Sequence, residues 1–269
     1  MSSSVRSTKS SRNTAIFTYD STQSQTTDHR TRHETNDEDM DRLVSDCVKY
    51  MLIMDNKKTA IKRSDIVKAI VRKGQTEPKG QAFKGLIDKV RLRLDQVFGI
   101  QLVDCPDKTN EYILVNKMNN KEIECRSDVQ MYRTSVLSLV LSVIFMNGQS
   151  CAEHIMWNFL AKLGFDVNSK SQLLSINDEP SNNVTIKKMM TEQWVRQLYL
   201  KYDRMDGSDP ITHEFRWGVR AEHEFKEIDI LQFVCNIYND SSKPEDWRSQ
   251  YDKCQQHNDL DNEIHIITD

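Results

Sequence analysis

A chain of 269 residues carrying 37 Lys and Arg, 40 Asp and Glu and a formal charge of −3 has room for one or two domains. At 38% hydrophobic and 29% charged, part of it can build a core while the rest stays solvated. Eight Gly and five Pro are too few for phosphate-cradling glycine loops or β-sandwich turns, so the expected class is mostly α with small β-hairpins.

Residues 1–38 hold sixteen Ser or Thr and only six apolar residues, too few to offset the entropy of ordering, and read as a disordered tail. The opening MSSSVRSTKSSR lacks the apolar stretch of a secretory signal, and no run of about 18 apolar residues follows. The chain is therefore expected to be neither secreted nor membrane-spanning. From Asp39 the pattern changes. Leu43, Val44, Cys47, Val48 and Met51 recur at spacings of three and four behind an acidic start, the signature of a first helix. Ile66, Val67 and Ile70 mark a short second helix. Phe83, Leu86, Ile87, Val90, Leu94 and Val97 mark a long third one that stops at Gly99. Two strand-forming runs, Ile100–Val103 and Tyr112–Val115, flank a polar turn and read as a hairpin. Three helices and then a hairpin is the order of a winged helix, here spanning 39–116.

The order repeats after a polar linker, 117–130. Val136–Met146 is a buried helix. Ile155, Met156, Phe159, Leu160 and Leu163 line the next, and Ile186–Gln197 supplies a third. Tyr199–Met205 and Ile211–Trp217 form a second hairpin around Asp206-Gly207-Ser208-Asp209-Pro210. A last helix, Ala221 to about Asn239, carries Phe225, Ile228, Leu231, Val234 and Ile237 at core spacing. The second domain then spans 131–239, and 240–269 reads as an acidic tail. The expected architecture is thus two winged-helix domains in tandem.

The weak net charge conceals an asymmetry. Residues 57–93 contain twelve Lys or Arg against three acids, a balance of +9. Lys62, Arg63, Lys79, Lys84, Lys89, Arg91 and Arg93 fall on the second and third helices and the loop between them, the surface a winged helix turns toward a DNA backbone. The competing reading is a solvated cationic face. Gln81 is the one amide side chain in the basic part of the third helix, so duplex binding with little sequence preference and steep salt dependence is expected. Residues 131–238 balance at −2 and suit protein docking, with Arg196, Lys201, Arg204, Arg216 and Arg220 as a possible second DNA patch around the second hairpin.

Catalytic chemistry is not evident. The six Cys stand far apart with no CxxC pair and read as reduced, mostly buried thiols. Cys151 and His154 would share a helix face, but no third orienting group accompanies them. His213, Glu214, His223 and Glu224 lack ligand spacing. No cofactor, metal site or catalytic residue is expected.

The segments LVSDCVKYMLIMDNKKTAIKRSDIVKAI, LDQVFGIQLVD, EYILVN, VLSLVLSVIFMNGQ and HEFRWGVRAEHE resemble, in order, the MAGE (melanoma antigen) homology domain over about Leu43–Ile237. Val97-Phe98-Gly99 and Glu214–Arg220 are its strongest signatures, although Val219 stands where the family usually has Pro, a departure that bears on wing geometry. KKTAIKRSDI, VIFMNGQ and KPEDWRSQY look most like the chromosomal branch, which serves the five-six SMC complex. The resemblance implies a nuclear, chromosome-associated scaffold without catalysis of its own. Its implied partners are a RING-domain ubiquitin ligase subunit, a kleisin subunit, SMC proteins through the kleisin, and double-stranded DNA, in support of ubiquitin ligation and DNA repair. The family's RING-binding leucine pair aligns with Met51 and Leu52. Helix geometry adds an argument of its own, since Leu52 lies about 110° from the centre of the core stripe and wants another partner. The alternative is that it packs under the chain's own hairpin.

In the tail, Thr22-Gln23 and Ser24-Gln25 have the form DNA-damage-response kinases prefer, making Thr22 and Ser24 candidate phosphorylation sites, though such dipeptides also arise by chance. Two rival readings stand beside the chromosomal one: a MAGE regulator of a different RING ligase, and a sequence-specific winged-helix transcription factor.

Overall fold

The computed structural model describes residues 24–71, 77–117, 128–169, 184–205, 207, 210–238 and 242–256, and of 24–38 and 128–129 the backbone alone. The chain divides into two compact units, Met1–Leu43 and Val44–Asp269. Helix α1 (Ser24–Asp55) begins well before Asp39, inside the segment expected to be disordered. That stretch has no apolar stripe, but a helix extends at far lower cost than it nucleates, and buried Val44, Cys47, Val48 and Met51 hold the packed part.

The elements that follow explain themselves by their buried faces. Strand β1 (Ile61–Lys62) leads into α2 (Arg63–Ile70), which buries Ile66 and Ile70. Helix α3 (Gln81–Phe98) buries Phe83, Leu86, Ile87, Val90 and Leu94, and ends where Gly99 takes a left-handed φ of 62° and donates its N–H back to Asp95 and Leu94. The hairpin of β2 (Ile100–Asp104) and β3 (Glu111–Asn116) pairs Leu102 with Leu114, and β1 adds to β3, giving the order β1-β3-β2.

The second half repeats this plan. Helix α4 (Asp128–Met146) precedes β4 (Ser150–Ala152) and α5 (Glu153–Lys162). Next come α6 (Ile186–Lys188), a π-helical turn (Met189–Gln193) and α7 (Trp194–Arg196), so the expected third helix is present but widened in its middle. The hairpin of β5 (Leu200–Arg204) and β6 (His213–Trp217) completes a sheet of order β4-β6-β5, the same order as the first. The fold is a tandem of winged helices. Strands β1 and β4 were not expected, because two or three residues carry no readable periodicity.

Two further departures have physical causes. The last helix is split into α8 (Val219–Glu224) and α9 (Glu227–Tyr238), because Phe225 adopts an extended backbone and turns its ring against Tyr199, centroids 6.4 Å apart. The supposed tail after 239 instead contains a 3-10 turn (Pro244–Asp246) and a helix α10 over 248–256. Trp247 and Tyr251 pack on the second core and Cys254 is buried within it; the three sit one helical turn apart in otherwise polar sequence. Four residues expected in the core are exposed: Val97, Ile155, Leu163 and Ile237. All lie at a helix end, where a periodic stripe continues after its partner layer stops.

A small apolar contact and a buried charge join the halves, beside the ion pair of Lys201 with Asp107. Val219 and Leu198 pack with Val103, Cys105, Ile113 and Val115 of the first hairpin. Beside them Arg220 is fully buried. Its Nε donates to the Gln197 carbonyl (2.9 Å), Nη1 to the Leu114 carbonyl (2.8 Å) and Glu224 (3.2 Å), and Nη2 to the Lys58 carbonyl (3.3 Å). Asp55 lies 3.9 Å from Nη1.

Val219, where the family usually has Pro, is the first residue of α8 and lies past the wing rather than in it. Its N–H belongs to the set a first turn leaves without an intrahelical partner, and Gly218 before it is extended (φ −98°, ψ 165°), as a residue preceding Pro prefers. Val219→Pro is therefore expected to change stability by less than about 1 kcal/mol, lost packing being offset by a stiffer unfolded chain. Urea denaturation checks this; a loss several times larger would show that the valine side chain governs the junction.

Candidate nucleic-acid and partner interfaces

The start of α2, the approach to α3 and the turn of the first hairpin enclose an open cleft of about 740 Å³. Lys62, Arg63, Lys68 and Lys79 line it against Glu77 and Glu111, so its walls are net positive. Arg63 is the fixed member. Its guanidinium lies over the Phe83 ring at 4.2 Å, Nη1 reaches the Asn110 side chain at 3.5 Å, and its backbone N–H donates to the Asn110 carbonyl. Asn110 can offer both groups because it takes a left-handed φ of 64° at the turn. Lys62 stands 3.9 Å from Glu111, a loose pair, and Lys79 makes no ion pair among the described residues.

The other four cationic candidates do not form one surface. Arg91 donates to the Leu102 carbonyl and to Asp104 at 2.8 Å, bracing α3 against β2. Lys84, Lys89 and Arg93 are exposed, but helix geometry puts Lys84 on one flank of α3 and Lys89 with Arg93 on the other. Between them lie Gly85, Asp88 and Leu92, the last 56% exposed. The outer face of α3 is thus less cationic than residue counting suggested, and three of the seven candidates meet instead at the cleft. Lys68, also in its wall, is one of the twelve cations of 57–93 but not one of the seven singled out above.

At the C-terminal end of α1 Met51 is fully buried, which removes it from any docking surface. It closes the core stripe to which its spacing assigns it. Leu52 is half-buried and Ile53 is 66% exposed, so the apolar surface there is formed by Leu52 and Ile53.

The second proposed cationic patch does not assemble. Arg220 is the buried junction residue. Lys201 pairs with Asp107 at 2.7 Å, and Arg216 hydrogen-bonds Glu214 through Nε at 2.7 Å and through Nη2. Lys201 and Arg216 are cross-strand neighbours, while Arg204, opposite His213, points to the other face of the hairpin. Arg196 and Arg204 remain exposed and unpaired among the described residues. Thr22 lies outside the described residues, and Ser24 opens α1.

The residues weighed for catalysis lie in different surroundings. Cys151 is buried in β4 and burial pushes its thiol up, whereas His154 is exposed. Glu153 accepts from Trp157 Nε1 (2.9 Å) and Tyr202 Oη (2.7 Å), and His213 lies 3.6 Å away, stacked on Tyr202. Burial works to raise the Glu153 carboxyl, yet these hydrogen bonds and the Lys187 and His213 charges outweigh it and hold it below the usual range. Among the described residues no group of three or more His, Cys, Asp or Glu is placed to hold a metal, and no helix is long and apolar enough to cross a membrane.

Comparison with known proteins bears on these surfaces. The chain is 37% identical over 210 residues to the human "Non-structural maintenance of chromosomes element 3 homolog", a match covering 77% of this chain and 64% of that protein. The mouse protein of the same name is 35% identical, with 77% and 70% covered. A chain in the solved "Nse1-Nse3-Nse4 complex" superposes with a TM-score of 0.68 at 32% identity, covering 81% of this chain and 98% of that one. The match to the human relative spans just under two thirds of that protein's length. A model of the MAGE homology domain matches residues 47–227, and the chain belongs to the MAGE homology domain family.

Proposed function

We propose that the chain is a non-enzymatic scaffold of a five-six SMC complex, acting on chromosomes in the nucleus and supporting DNA repair and ubiquitin ligation. The observation that carries this reading is the near-complete overlap, at 32% identity, with a chain of the "Nse1-Nse3-Nse4 complex". In this reading a RING subunit docks on Leu52 and Ile53, a kleisin on the second half, and duplex DNA along the cleft of Lys62, Arg63, Lys68 and Lys79. The first domain takes 39–116 and the linker 117–130. The second begins near 131 and is extended to 256, because α10 packs on its core.

Affinity purification of the tagged chain from nuclear extract with mass spectrometry tests the assignment, with folded Ile53→Asp beside wild type. Wild type is expected to recover SMC, kleisin and RING subunits, and the variant to lose the RING subunit alone. Recovery of an unrelated RING ligase without SMC subunits would overturn the complex assignment. For DNA, neutralising about four to six phosphates makes a fourfold rise in salt weaken duplex binding by on the order of 10²–10³-fold. Lys79→Gln should lower the slope of log affinity against log salt by about one. Salt-insensitive or strongly site-selective binding would remove the DNA part of the proposal.

A further inference from the structure

The cleft beside the first hairpin contains a feature that phosphate binding does not use. The Arg63 guanidinium lies 4.2 Å from the centre of the Phe83 ring, and Phe83 is 3% exposed, so a buried aromatic closes one face of the cation. Arg63 is half-buried and lines the cleft with Phe83 behind it, which leaves the other face of the guanidinium to the open volume. Its contact with the Asn110 side chain, 3.5 Å from Nη1, is at the outer limit of a hydrogen bond, and the turn is already tied to α2 through the Arg63 backbone N–H. Bracing therefore does not require this side chain. What it provides is a flat cationic surface, backed by an aromatic ring, of the kind on which nucleic-acid bases stack.

The rest of the cleft suits a single nucleotide. Its volume, about 740 Å³, lies in the range of about 300–1,000 Å³ that takes a small organic molecule. Half-buried Val67 and Pro78 give it apolar wall, for which a phosphate has no use. Lys62, Arg63, Lys68 and Lys79 against Glu77 and Glu111 leave a balance of +2, which matches the two phosphates that flank one nucleotide in a strand. In the same lining the Thr109 hydroxyl and the Asn110 amide N–H groups make no hydrogen bond among the described residues, and they can meet the polar edge of a base. In an intact duplex each base face is covered by its neighbours, so a stacking surface serves only a base that has left the stack.

We infer that the cleft is a seat for one unpaired nucleotide of a DNA strand, its base stacked on the outer face of Arg63 and its flanking phosphates on the lysines. This rests on the DNA reading above and refines it. A duplex lies along the mouth of the cleft, and a strand end or gap supplies the nucleotide that enters it without the cost of unstacking.

The test uses the full chain and three fluorescent probes in anisotropy titrations: a blunt duplex, the same duplex with a short single-stranded overhang, and that overhang built from abasic nucleotides, which keep the phosphates and lose the bases. Wild type is expected to bind the overhang at least about fivefold more tightly than its abasic form, the contribution of one stacked base. Arg63→Lys keeps the charge and loses the flat face, and should bring this ratio below about twofold whatever it does to the blunt duplex. An Arg63 that only holds α2 to α3 predicts equal proportional losses on all three probes, with the ratio unchanged, and that result would overturn the inference. So would equal affinity of wild type for the two overhangs, which would leave phosphate contacts alone and the duplex reading standing. Release of the overhang probe by micromolar AMP would give the seat to a free nucleotide and overturn the strand-bound one. Failure of wild type to bind any of the probes would remove the DNA reading and this inference with it.

Discussion

Arg220→Met is expected to destabilise the fold by about 3–5 kcal/mol, the cost of removing one partner from a buried charge cluster. The substitution keeps an apolar stem but removes the cation shared by Glu224 and Asp55, which are largely shielded from water and keep only Tyr199 Oη and Lys58 Nζ as partners among the described residues, and it takes the donor from the carbonyls of Leu114, Gln197 and Lys58. Tyr199 is affected too. Burial, with the charge and hydrogen bond of Glu224, already pushes its phenol well up, and the Arg220 charge is what opposes that shift. Arg220→Lys should recover only part of the loss, because an ammonium is a point charge and cannot reach acceptors spread around a planar fork. The acceptors come from both halves of the tandem, so urea denaturation followed by probes in each half should show the single transition of wild type separate into two. A single transition at the wild-type midpoint would refute this account of the junction.

Arg220 also marks the limit of what sequence could show. Its place after a hairpin, in Arg-Trp-Gly-Val-Arg, suggested a cation on the wing, and nothing local announces that the chain turns inward there. Its partners are Lys58, Leu114, Gln197 and Glu224, up to 162 positions away. Elements with a strong period were legible. The packed part of α1, α3 with its glycine stop, and both hairpins lie where spacing and turn chemistry place them. What escaped had a weak or mixed local signal: β1 and β4 are too short, the break at Phe225 is set by a tertiary ring contact, and the Trp247-Tyr251-Cys254 stripe is diluted by polar and charged neighbours.

For the candidate interfaces, charge was legible and its arrangement was not. The cationic segment is real, but whether a Lys or Arg faces solvent depends on acids brought in from elsewhere: Asp104 for Arg91, Asp107 for Lys201. Met51 shows the converse, for its own spacing had already placed it in the core stripe, and family alignment with a docking pair does not change which way a helical residue points.

Gly218→Ala is expected to be nearly as damaging as loss of Arg220, for a steric reason. Gly218 crosses the chain just before α8, its N–H donating to the Tyr199 carbonyl at 2.9 Å, while two residues on Arg220 N–H donates to Leu198, also at 2.9 Å. A β-carbon at 218 would press into the Leu198 carbonyl oxygen, with the Leu198 carbonyl carbon 2.7 Å away and that of Tyr199 3.0 Å away. These are backbone atoms, so no rotamer change relieves the clash, and the backbone of 198–199 must move. Leu198 packs against the first hairpin and Gln197 holds Arg220, so that movement pulls on the apolar contact and on the buried charge between the halves. Overpacking alone costs about 1–3 kcal/mol, and the expected loss is at or above the upper end of that range. The backbone at 218 is extended and not left-handed, which separates this prediction from a conformational one: Gly218→Ala is tolerable in the unfolded chain and is refused only by the crossing. Denaturant midpoints for Gly218→Ala beside Gly207→Ala make the comparison. Gly207 has a left-handed φ of 73° but open space around it, so its loss should be only about 1 kcal/mol. Equal, small effects at the two positions would sink the close-approach account of Gly218.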